Sequence, residues 1–117
     1  MENNQILDSF GRLVISEVFD NQYRFILNKL EDLSQTDDYK NLFSNMSEIQ
    51  KKEIEIYTKE ILKGAAFDFL RIFEENPEFK LIHEADGIQT DLNKISEMLK
   101  AEPIIPNGWI ERFSELK

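Results

Sequence analysis

The sequence predicts an all-α fold: an irregular four- to five-helix bundle around a long central helix at about 48–75. Three observations point there. The 117 residues include only 4 Gly and 3 Pro, which favours long helices over a turn-rich β architecture. Apolar residues recur every three or four positions through most of the chain. Between Ser47 and Asn76 no breaker occurs, and Ile61, Leu62, Ala65, Ala66, Phe69, Leu70, Ile72 and Phe73 fill a continuous arc of about 180° on a helical projection. A helix apolar over half its circumference should touch more than one partner, hence its expected central place. A chain of this length makes one domain, residues 1–117, and should bury roughly 65% of the surface its unfolded form exposes.

Residues 4–33 read as one long helix with Asn3 or Asn4 as cap. Its apolar stripe runs through Phe10, Leu13, Val14 and Val18, then through Tyr23, Leu30 and Leu33. The stripe slips by about one residue at Asp20-Asn21, so the helix is either bent or broken there. Gly11 inside it either serves a close helix–helix approach or is a plain propensity cost of about 1 kcal/mol. Ser34 to Asp38 is a polar loop, and Tyr39, Leu42, Phe43 and Met46 give a short helix at about 38–45.

Ser47 with Gln50 three residues on forms a capping box, so the central helix starts at Glu48. Its first half is heavily charged, with Glu48/Lys52 and Glu55/Lys59 as i,i+4 pairs. Pro77 ends it.

Residues 79–83 start either a helix or a short strand. Leu81, Ala85, Ile88, Leu92, Ile95 and Leu99 follow a helical spacing, interrupted by the turn signal Asp86-Gly87. A turn there, followed by a helix to about 100, is the favoured reading over one helix from 78. Pro103-Ile104-Ile105-Pro106 reads as extended, and Trp109, Ile110, Phe113 and Leu116 as a last helix at about 108–116.

Charge narrows the function classes. Lys plus Arg is 14 against 23 for Asp plus Glu, a net charge of −9. Cations are scattered among acids, which argues against nucleic acid and against an anionic membrane surface. With 0 Cys there is no thiolate chemistry and no disulfide. No signal peptide or membrane span is visible, so a soluble, cytoplasmic protein is expected.

No motif carries a recognisable chemistry, and no catalytic residue, metal site or cofactor is assigned. The expected function is therefore a small acidic protein–protein interaction or regulatory module, with an inhibitor or immunity-type protein for a basic partner as one specific form. Its expected contact residues are Glu74, Glu75, Glu78, Glu84 and Asp86, within a segment at 74–91 that holds more than half the net charge. Phe67, pointing into the polar arc of the central helix, and Trp109 are the expected aromatic anchors.

Two other classes stay open. One is a metal- or ligand-binding helical protein using Glu17, Asp20, Glu60, Asp68 or His83. His83 is the only histidine and has no Glu-x-x-His spacing, which weakens that reading. The other is a homo-oligomer that buries surplus apolar surface between subunits.

Overall fold

The computed structural model describes residues 1–116. It is mostly helical, 66% of the chain, but a small two-stranded sheet makes it something other than an all-α bundle.

The chain opens with α1 (Asn3–Val14), a π-helical turn (Ile15–Phe19) and α2 (Asp20–Ser34), joined into one rod without an intervening loop. Glu2, rather than an asparagine, precedes the first turn, and its backbone N–H donates to Gln5 Oε1 at 2.9 Å. The slip in the apolar stripe has a structural cause. The Asp20 N–H reaches back five residues to the Ile15 carbonyl, so one extra residue is inserted and the facing side of the helix rotates. Ile6, Leu7, Ile15, Phe19 and Tyr23 are thereby all buried on one side of a single rod.

After the short α3 (Lys40–Phe43), α4 (Glu48–Glu75) runs back antiparallel to the first rod. The capping box forms as expected: Gln50 N–H donates to Ser47 Oγ at 3.1 Å, and Ser47 N–H donates to Gln50 Oε1 at 2.8 Å. Between Glu48 and Lys63 the ion pairs of α4 take i,i+3 partners instead of the expected i,i+4 ones: Glu48 with Lys51, Lys52 with Glu55, Glu60 with Lys63. At solvent-exposed positions the two spacings are nearly equivalent in energy.

The expected central role of α4 is not what the structure shows. Leu70 is its one fully buried residue, and Ile61, Phe69 and Ile72 from its apolar arc are 53%, 57% and 46% exposed. The core instead joins α1 and the π turn to the C-terminal third, through Leu92, Leu99 and Trp109. Amphipathic width says how much of a helix is apolar; it does not say which partners arrive to cover it.

The segment after Pro77 takes the strand and the Asp86-Gly87 turn, while the helix expected from there to about 100 is mostly absent. Strands β1 (Ile82–Ala85) and β2 (Ile88–Asp91) form an antiparallel hairpin, with Ala85 opposite Ile88 and Ile82 opposite Asp91. Asp86 and Gly87 both take positive φ, 55° and 76°, the geometry of a two-residue hairpin turn whose twist matches its strands. The Asp-Gly signal was a hairpin signal. Only Leu92–Ile95 becomes helical (α5), capped by the Asp91 carboxylate, which accepts from Asn93 N–H at 3.0 Å.

A single 3₁₀ turn (Leu99–Ala101) follows, then a compact loop and α6 (Trp109–Phe113), shorter than expected. The loop is not extended at Pro103–Pro106. Ile104 and Ile105 both donate to the Ala101 carbonyl, and Glu102 is α-helical at φ −50°, ψ −42° despite preceding a proline. Burial of Pro103 in the core outweighs that local preference.

The tail is stapled along the first rod. Trp109 is wholly buried, lies against the Gly11 backbone and meets Phe10 edge-on at 5.7 Å. The Arg112 guanidinium pairs with Asp8 at 3.0 Å, and Arg12 lies 4.4 Å from the centre of the Phe113 ring. Farther along, the buried Asp20 carboxylate accepts from Ser114 Oγ at 2.6 Å and from Glu115 N–H at 2.9 Å. The core therefore sits at one end of the molecule, while α2, α3 and the first half of α4 project from it. The extents are 54 × 27 × 24 Å, and the Cα radius of gyration is 17.3 Å. A compact chain of this length would have a radius of about 13 Å.

Candidate functional site

The residues expected to meet a partner scatter in the structure. Trp109 is a core residue with no exposed surface, so it cannot anchor a partner; Gly11 lacks a side chain where the indole sits, and that cradle holds it inside. Phe67 is half-buried beneath Lys100, whose ammonium lies 5.5 Å from the ring centre. Glu74 is turned toward the chain itself: its carboxylate pairs with Lys100 Nζ at 3.2 Å and accepts from Lys100 N–H at 3.3 Å. Glu75 is held by Arg71 at 3.2 Å, and Asp68 shares that guanidinium at 3.5 Å. Glu78, Glu84 and Asp86 stay exposed, around the hairpin. The acidic run is therefore not one face. Two of its five expected contact carboxylates are neutralised by Arg71 and Lys100, both from outside the run.

The residues weighed as metal ligands do not converge either. Asp20 is occupied by Ser114 and Glu115, while Glu17, Glu60 and Asp68 are exposed. His83 is half-buried beside a small cavity of about 160 Å³, next to Ile6, Phe10, Leu81 and Leu92. Among the described residues no group of three or more His, Asp or Glu side chains could hold a metal ion.

One concave feature is wholly apolar. Beyond the π turn, α1 and the second half of α4 leave an open groove of about 430 Å³. Phe10, Val14 and Val18 form one wall, Leu62, Ala66 and Phe69 the other, and Pro103 and Ile110 also line it. Not one of its lining residues is polar or titratable. Such a surface can offer apolar burial and shape; it has no proton donor, nucleophile or anion holder.

The groove's upper edges are apolar as well: Val18 is 56% exposed and Phe69 57%, with Ile61 and Ile72 continuing the stripe along α4. In sequence these side chains are indistinguishable from core, which is why the groove was not foreseen. The wide arc on α4 was the available signal. Its excess over what one neighbouring helix can cover is the surface left open here.

No helix among the described residues is long and apolar enough to cross a membrane. The chain matches no protein-family model, no curated protein and no solved structure.

Proposed function

We propose that this chain is a small acidic protein–protein interaction module, acting in the cytoplasm, that seats an apolar helical segment in the groove between α1 and α4. The carrying observation is the groove itself, lined by apolar side chains alone and continued by an exposed apolar stripe on α4. A helix laid into such a groove buries its own i, i+3, i+4 face, a recurrent mode of protein recognition. At about 25 cal/mol per Å², apolar burial of this kind is the main driving force for association.

The exposed carboxylates Glu78, Glu84 and Asp86, with a net charge of −9, support a second form of the same reading: a basic partner, as for an inhibitor or immunity-type protein. Exposed charges of this kind speed encounter more than they hold a complex together. They would steer, and the groove would bind.

The chain contains no Cys, so one introduced thiol reports on one place. An environment-sensitive fluorophore on Ile72→Cys, at the groove's edge, is expected to shift to the blue on raising the protein concentration or on adding extract from the source cell. The same label on Glu78→Cys is expected to stay unshifted. A label at Ile72 that stays water-exposed under both conditions would refute the proposal.

A further inference from the structure

We infer that the segment seated in the groove is the α4 stripe of a second copy of this chain, each copy filling the other's groove across a two-fold axis. This rests on the reading of the groove as a protein-binding surface.

The surface area is the first support. The chain exposes 8188 Å². A compact monomer of 13.8 kDa exposes about 6,600 Å². The excess is about 1,600 Å² per chain, so two copies hiding it together would bury about 3,200 Å². That lies within the range of obligate homodimers, roughly 2,000–5,000 Å², and well above the roughly 1,600 Å² of a standard interface.

Shape and chemistry agree with this. Part of that excess is the apolar stripe beside the groove, where Ile61, Phe69 and Ile72 of α4 are 53%, 57% and 46% exposed. The same chain carries both halves of an isologous contact. The groove accepts an apolar helix, and the exposed stripe Ile61, Ala65, Phe69, Ile72 on α4 repeats at four, four and three. Charge does not oppose the arrangement. The first rod, residues 3–34, has five acidic and three basic side chains, and α4 has seven and five. The two rods thus hold −4 of the net −9, with Lys59 and Lys63 on α4 among their bases. A basic partner would be favoured mainly by the remaining charge, outside the two rods.

Sedimentation equilibrium on the full chain, from micromolar to several hundred micromolar, decides it. Twice the mass of one chain is expected. Phe69→Glu and Val18→Glu each put a carboxylate on a side chain more than half exposed in the single chain. Both are expected to keep the helical circular dichroism and to weaken self-association by at least about a hundred-fold, since the new charge would be buried without a partner. Glu78→Gln is expected to leave the mass unchanged. A monomer at every concentration overturns the second copy as occupant. So does a dimer that neither groove variant weakens. A monomer whose Ile72 label still shifts in cell extract overturns this inference but leaves the groove as a site for another protein. A monomer whose label shifts nowhere overturns both.

Discussion

Replacing Gly11 and Gly64 by alanine, one at a time, tests the packing of the tail against α1 with a matched pair. Both glycines lie inside long helices, so each change should gain about 0.8–1 kcal/mol of helix propensity. Gly64 sits on the polar arc of α4, and a Cβ there meets nothing within 4 Å. The gain should appear in full, about 1 kcal/mol, or about 3–6 °C in Tm for a chain of this size. At Gly11 the new Cβ would lie 2.7 Å from three atoms of the Trp109 indole. That ring is wholly buried and packed against Phe10, so it has nowhere to move. Overpacking of this kind costs about 1–3 kcal/mol, and contact with the body of a ring argues for the upper end. Gly11→Ala should then lose about 2 kcal/mol net, some 3 kcal/mol below Gly64→Ala. Urea unfolding of both variants at one protein concentration measures the difference. Equal stability, or a Gly11→Ala variant more stable than the parent, would refute the placement of Trp109 on the Gly11 backbone.

Two further outcomes follow from the polar contacts. Asp20→Ala removes the acceptor of two hydrogen bonds, leaving the Ser114 hydroxyl proton and the Glu115 amide without an acceptor; a loss of about 2–4 kcal/mol is expected. The Glu115 amide should exchange faster with solvent, and unchanged exchange would contradict the anchoring of the tail. Tyr23 is buried, and desolvation, with the nearby negative charge of Glu55, raises its pKa above the ordinary 10.0. The folded chain therefore holds the phenol proton more tightly than the unfolded chain, so stability is lost as pH rises past 10 and through the folded value. Tyr23→Phe should lose less Tm between about pH 9 and about pH 11 than the parent, and an identical loss would show that another group controls the alkaline limb.

Local features of this fold were legible where one short stretch determines them. Ser47 and Gln50 formed their capping box, Pro77 ended α4, and the slipped stripe near Asp20 marked a real π turn. Asp86-Gly87 was legible as a turn but not as a hairpin, because the helical spacing of Leu81, Ala85 and Ile88 coincides with strand positions over so short a run. The roles of Trp109 and Phe69 could not be read from their neighbours in sequence. An aromatic residue on a periodic face becomes core or open surface according to which distant segment reaches it. The tail reached Gly11 and took Trp109 inside, whereas nothing within the chain reached Phe69. The acidic run was misjudged for a related reason. Counting charges along the chain omitted Lys100, distant in sequence, which lies against Glu74.

The most direct test of the central claim is a distance between two copies. Asp68 is exposed, on the polar arc beside the α4 stripe, and Asp68→Cys carries the only thiol in the chain. With a nitroxide attached there, pulsed electron-electron double resonance should give one defined interspin distance if the two α4 helices face each other across the proposed two-fold axis. Adding Phe69→Glu should abolish it. A featureless decay from the Asp68→Cys protein alone, at concentrations where the mass is that of two chains, would contradict the account, as would the mass of one chain at every concentration.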